Sequence, residues 1–158
     1  MVKVLLERGA ELESKNNDSR TSLLGAASNG HDTVVKVLLE RGAELESKDN
    51  DGRTPLLEAS SNGHDTVVKL LLERVAQLES KDNDGRTPLL EAASNGHDTV
   101  VKVLLERGAE LESKDNNTGC TPLSLAAGKG HEAVVKLLLD TEKVDAGSKD
   151  NDGRTPLS

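Results

Sequence analysis

Phenylalanine, tyrosine and tryptophan are absent from this chain of 158 residues. Their absence removes the stacking platforms on which single-stranded nucleic acids are commonly held. A formal net charge of −8 repels phosphate backbones as well, so nucleic acid is not an expected partner. No apolar run approaches the ~20 residues of a membrane span, and the amino terminus lacks the charged-then-apolar order of a signal peptide. The chain is therefore expected to be intracellular and cytoplasmic, with no membrane partner. Cys120 is the only cysteine, which excludes an internal disulfide. Its place after Gly119 in a turn signal predicts an ordinary exposed thiol. Asn17-Asp18-Ser19 and Asn116-Asn117-Thr118 fit the glycosylation pattern, but without a secretion signal they read as chance matches.

What the chain does have is one phrase said several times. Lys81 to Ser113, KDNDGRTPLLEAASNGHDTVVKVLLERGAELES, superposes on most of the sequence at a shift of thirty-three residues. Copies run over residues 15–47, 48–80 and 81–113 and, with single-residue insertions, over 114–148. Residues 1–14 and 149–158 are partial copies. A period of this length predicts a solenoid over residues 1–158, in which each unit buries its apolar face only against its neighbours.

Within the unit, Thr87 followed by Pro88 predicts a helix start. The hydroxyl can accept from an orphan amide, and proline at the first helical position loses no hydrogen bond. Leu89, Leu90, Ala92 and Ala93 give a short first helix whose alanines leave room for neighbouring helices. Ser94-Asn95-Gly96 ends it, since glycine tolerates a left-handed backbone. A second helix follows, with Asp98 at its positive end and Val100, Val101, Val103, Leu104 and Leu105 on a broad apolar face. Gly108 is placed to stop that helix, and an Asp-Gly turn joins one copy to the next. Neither helix reaches the ~12–15 residues at which an isolated helix becomes marginal in water, so stability must come from stacking.

The Asp-Gly turn, Thr-Pro-Leu, the Ala-Ala step, Gly-His and the Val/Leu helix ending in Gly-Ala, in that order and register, resemble the ankyrin repeat. The resemblance covers essentially the whole chain. It implies an all-α solenoid of stacked helix-turn-helix units with hairpin-like loops. The near identity of the copies is similar to long fungal-type arrays attached to signalling or NACHT-type NTPase receptors. The histidine that relatives carry after Thr-Pro-Leu is replaced here by Leu24, Leu57, Leu90 and Ser124, so its hydrogen bond to the threonine is not expected.

Departures between copies carry further expectations. Ser19 and Ser22 stand where later copies have glycine and proline, which predicts a looser turn and helix start in the first complete copy. Val75 replaces the helix-stopping glycine, which predicts strain or a rerouted loop, because a β-branched residue is disfavoured with φ above zero. The copy at 114–148 diverges most: an insertion near Thr118, Cys120 for arginine, Gly128 and Lys129 for serine and asparagine, and a rewritten loop from Thr141 to Ala146. If one patch is individualised, it is there. Met1 aligns with Val34, so Val2–Arg8 is read as a second helix without its first, and Arg154 to Ser158 as the start of another unit. Such uncapped ends predict head-to-tail self-association.

Chemistry finds little support. His31, His64, His97 and His131 recur once per unit, but packed helices lie ~8–10 Å apart, whereas zinc ligands sit at ~2.0–2.1 Å from the metal. These histidines read as fixing the turn between helices. Ser94, His97 and Asp98 include triad residue types, yet they crowd into one turn and repeat with the motif, which is a property of a scaffold. There is no phosphate-binding glycine loop, and no pair of carboxylates stands out from the acidic background. No enzyme, cofactor or metal site is expected; an enzyme built on Cys120 would lose turnover on thiol alkylation.

Binding another protein is the remaining reading. The resemblance implies a concave surface made of loop tips and the exposed faces of first helices. Carried over position by position, it comprises Asn17, Asp18, Arg20, Ser28 and Asn29; Asn50, Asp51, Arg53, Ser61 and Asn62; Asn83, Asp84, Arg86, Ser94 and Asn95; and Asn117, Cys120, Gly128 and Lys129. Arginine supplies planar donors for carboxylates and is enriched at energetic centres of interfaces, so of these residues it is the one expected to matter most; no aromatic anchor is present. A surface nearly identical in three copies suits a repetitive partner, where linked weak contacts multiply. The alternative is a spacer or self-assembling scaffold segment of a larger protein, whose polar face is merely solvated.

Overall fold

A computed structural model describes residues 11–157. The helix expected at Val2–Arg8 lies outside the described residues, as does Ser158. Eight helices and no strand occur among those described, in four pairs: α1 (Ser22–Ser28) and α2 (Asp32–Glu40), α3 (Pro55–Ser61) and α4 (Asp65–Glu73), α5 (Pro88–Ser94) and α6 (Asp98–Glu106), α7 (Pro122–Gly128) and α8 (Glu132–Leu139). The fold is an all-α solenoid. First helices stack on first helices (α1 on α3, α3 on α5, α5 on α7), and second helices stack likewise.

Each first helix begins as the Thr signal predicts. Thr21, Thr54 and Thr87 accept from the amides of Leu24, Leu57 and Leu90 at 3.3 Å, and Thr121 accepts from that of Ser124 at 3.2 Å. The hydroxyls have a second neighbour from farther along the chain: Thr21 Oγ1 lies 3.0 Å from Ser47 Oγ, and Thr54 Oγ1 3.2 Å from Ser80 Oγ. With the histidine of relatives missing, serines that close the units satisfy Thr21 and Thr54; Thr121 meets Ser124 Oγ instead, at 3.1 Å, and Ser113 turns to the Glu110 carboxylate at 3.3 Å.

The first complete copy is not looser than the rest, contrary to the reading from Ser19 and Ser22. Asn16 Oδ1 accepts from the amides of Asp18 and Arg20 at 3.0 and 2.9 Å, as Asp49 does for Asp51 and Arg53 at the same distances. The side-chain clamp closes the turn whether or not a glycine is present, and Ser19 simply adopts φ 60°. Val75 likewise reroutes nothing. Its amide reaches Leu72 O and that of Ala76 reaches Leu71 O, both at 3.1 Å, the pattern made by Gly108 and Ala109. The valine sits at φ 66° and is 85% exposed, so strain is the outcome.

The core is leucine, valine and alanine, continuous from Leu23 to Leu138. Ala59, Ala92 and Ala126 are fully buried where first helices meet, which is the room the Ala step provides. Loops also stack. The amide of Asn50 donates to Asp18 O, that of Asn83 to Asp51 O and that of Asn116 to Asp84 O, at 3.1, 3.0 and 2.9 Å. In the fourth copy the inserted Thr118 widens the turn by one residue. Its amide and hydroxyl both bind the Asp115 carboxylate, and Gly119 N reaches Asp115 O at 3.2 Å.

Candidate protein-interaction face

First helices and the turns preceding them form one side of the array, and a charged system lies along it. Glu58, in the middle of α3, is only 4% exposed. Its carboxylate accepts from Ser28 Oγ at 2.7 Å, Arg53 Nη1 at 3.2 Å and Arg20 Nη2 at 3.4 Å. Burial pushes the Glu58 carboxyl up, but the bonds from Ser28 and Arg53 and the charges of Arg20 and Arg53 outweigh it and hold the group below its ordinary value. Glu91 repeats the arrangement one copy on, 6% exposed, with Arg86 Nη1 and Ser61 Oγ each at 2.9 Å.

These two glutamates are what sequence reasoning missed. They are distinguished from the acidic background by being buried and by binding serine and arginine at once. The available signal was a carboxylate inside an otherwise apolar, small-residue helix, five residues after an arginine.

The expected surface residues divide by what they already hold. Arg20, Arg53 and Arg86 have side chains between 28% and 39% exposed, so each serves a buried glutamate while showing part of its guanidinium to solvent. Ser28 and Ser61 are spent on Glu58 and Glu91. Ser94 is 1% exposed, and its hydroxyl accepts from Lys129 Nζ at 2.7 Å. Asn50 and Asn83 donate their side-chain amides to Asn17 O and Asn50 O, which ties loop to loop. Asn117 donates to the Asp84 carboxylate at 3.1 Å. Asn29 and Asn62 cap their own helices through Gly25 O and Glu58 O, whereas Asn95 reaches across to Ser61 O. Asp18, Asp51, Gly128 and Lys129 are exposed, and Cys120 is half-buried.

The histidines hold neighbours together rather than only their own turn. Nε2 of His64, His97 and His131 donates to the carbonyls of Ser28, Ser61 and Ser94, at 3.0, 2.9 and 3.1 Å, each in the preceding copy. The rings lie against glycine: a Cβ on Gly30 would stand 2.5 Å from His64 Nδ1. His97 is thus directed to Ser61 and not to Ser94, so the triad residue types do not assemble. Among the described residues no group of three or more His, Cys, Asp or Glu is placed to hold a metal ion, and no helix is long and apolar enough to cross a membrane.

A family profile described as ankyrin repeats, in three copies, matches residues 26–115 and 111–158. No curated protein matches the chain.

Proposed function

Because the chain belongs to the ankyrin repeat family, whose members generally mediate protein–protein interaction, we propose that it is a non-catalytic module that holds another protein. The face used is the one formed by first helices and loop tips. The observation that supports this most is the line of Arg20, Arg53 and Arg86, each fixed at one end by a buried glutamate and open at the other to solvent. A guanidinium already held in place loses less rotamer freedom when a partner engages it. Asp18 and Asp51 at exposed tips add acceptors beside these donors. One arrangement displayed several times suits a partner that is itself repetitive.

Capture of a protein partner by the immobilised chain tests the reading. Arginine removal alone would strand Glu58 and Glu91, so Arg20, Arg53 and Arg86 are changed to Ala together with Glu58→Gln and Glu91→Gln. A partner retained by the native chain and by the Glu→Gln chain, but lost with the arginines, is expected. No capture, or capture indifferent to the arginines, counts against the face.

The second reading, a scaffold segment that associates with copies of itself, draws on α8, where the apolar side chain of Leu139 is 39% exposed. Sedimentation showing a strict monomer at high concentration would remove it.

A further inference from the structure

Asn62-Gly63 and Asn95-Gly96 stand in the same local sequence, Ser-Asn-Gly-His-Asp-Thr, with complete copies on both sides. An asparagine followed by glycine is prone to ring closure, because no side chain shields the glycine nitrogen. That nitrogen attacks the asparagine Cγ, the Cγ–Nδ2 bond breaks, and ammonia leaves with the amide proton. Water then opens the succinimide at either carbonyl, giving aspartate or isoaspartate. Identical neighbours give the two steps one intrinsic rate, so a difference between them is set by the fold.

Folded, both steps are closed to this chemistry. Each asparagine caps its helix with ψ of 1°, which eclipses its own nitrogen with that of the glycine and turns Cβ away. Ring closure needs Cβ and the glycine nitrogen on one side of the Cα–C bond, so the turn must unwind first. Gly63 N and Gly96 N also donate to Ser60 O and Ala93 O, at 3.4 and 3.3 Å. His64 N and His97 N donate to Ala59 O and Ala92 O, at 2.9 and 3.0 Å, which completes the bond pair of a helix ended by a left-handed glycine. Local opening therefore gates the reaction, and its rate scales with the population of the open copy.

Copies two and three do not resist opening equally. Ser60 keeps a buried hydroxyl without a partner where copy three has Ala93. Val75 holds φ 66° where copy three has Gly108 at 83°. Both departures lie in the copy of Asn62, one in the last turn of α3 and the other just after α4. The asparagine amides differ as well. Asn62 Nδ2 donates within its own helix, to Glu58 O at 2.9 Å, whereas Asn95 Nδ2 reaches Ser61 O of the preceding copy at 3.1 Å and Glu91 Oε2 at 3.4 Å. Each of these differences lowers the cost of opening at Asn62.

We propose that Asn62-Gly63 is a self-modification site, a slow irreversible switch fired by the opening of the copy at 48–80. The product does not restore the native junction. An aspartate gives up the bond to Glu58 O and adds a negative charge at the negative end of α3, four residues after Glu58. An isoaspartate also lengthens the main chain beside Gly63, where there is no room under the His97 ring: a Cβ on Gly63 would stand 2.6 Å from Nδ1. That ring holds Ser61 O at 2.9 Å, so the tie between copies two and three is what loosens. The switch acts without a partner and does not rest on the protein-binding reading.

The test is to age the whole chain in warm neutral buffer made with heavy-oxygen water, and to follow the conversion of each asparagine by peptide mass spectrometry. Conversion at Asn62 should run about tenfold faster than at Asn95, the population ratio that an unmatched hydroxyl and a strained residue imply. In the urea-unfolded chain the two rates should be equal. Ser60→Ala combined with Val75→Gly should slow Asn62 to near the rate of Asn95 in the folded chain. Asn62→Asp, one of the two products, should lower the melting temperature of the whole chain by about 2–4 °C. Equal rates in the folded chain, faster conversion at Asn95, or a ratio that survives in urea would overturn the gate, as would an Asn62 rate untouched by the double variant. An Asn62→Asp chain that melts with the native one would overturn the loosening.

Discussion

Ser28 donates its hydroxyl to the Glu58 carboxylate at 2.7 Å across thirty residues of sequence, joining the end of α1 to the middle of α3. Ser61 and Glu91 repeat the contact between α3 and α5. A charge buried at the junction of two copies is tolerable only while its donors are present, so each pair ties the position of one helix to the next.

Glu58→Gln should therefore destabilise the chain at neutral pH by about 2 kcal/mol, the lower part of the range for a charge-assisted network because both arginines are partly exposed. The pH dependence follows from the direction of the shift. A carboxyl whose folded value is lowered binds fewer protons than in the unfolded chain, so its stabilisation is complete above its unfolded value and is lost as pH falls through the folded one. The gap between native and variant chains in urea melts should be full at pH 7 and close below the ordinary carboxylate range. A gap that persists unchanged at pH 3 would refute the assignment.

Ser60 has a fully buried hydroxyl with no hydrogen-bond partner, the only such side-chain atom among the described residues. The other copies place Ala27, Ala93 and Ala127 at this position. Ser60→Ala should raise stability by about 1–2 kcal/mol, the desolvation of an unmatched hydroxyl. A loss on chemical denaturation would show that Ser60 has a partner.

Helix starts and ends were legible because their causes are local. Thr87 and Pro88 adjoin the helix they open, and Gly108 ends the one before it. Glu58 was not legible as special because its partners Ser28 and Arg20 are 30 and 38 residues away, and their convergence follows only once α1 packs on α3. The reach of His64 to Ser28 was hidden for the same reason. The reading of Ser19 as loose failed because the Asn16 side chain, and not the glycine, closes the turn. Cys120, Gly128 and Lys129 were visible as departures, but the reach of Lys129 back to the buried Ser94 hydroxyl, 35 residues away, required the fold.

Val75→Gly should stabilise. An L-residue at positive φ costs ~1–2 kcal/mol, part of which glycine returns as chain entropy, so a net gain of about 0.5–1 kcal/mol is expected. Val75 is exposed, so little packing is lost. An unchanged urea midpoint would mean that the valine is relaxed at φ 66°.

Two glycine-to-alanine changes should move in opposite directions. Gly25 lies within α1 with open space around its Cα, and alanine there should add up to about 1 kcal/mol. Gly63 has φ 78°, and a Cβ on it would stand 2.6 Å from His97 Nδ1. Gly63→Ala should cost about 2 kcal/mol or more, through backbone strain and displacement of the ring from Ser61 O. Thermal melts of the two variants with the same sign of shift would contradict this placement of the histidine.

The dependence of each copy on its neighbours is tested most directly by far-ultraviolet circular dichroism of residues 81–113 as an isolated peptide in dilute buffer, beside the whole chain. Helices of seven and nine residues, cut from α3, α4, α7 and α8, should leave the peptide mostly unordered while the whole chain is helical. A peptide as helical per residue as the intact array would contradict the account.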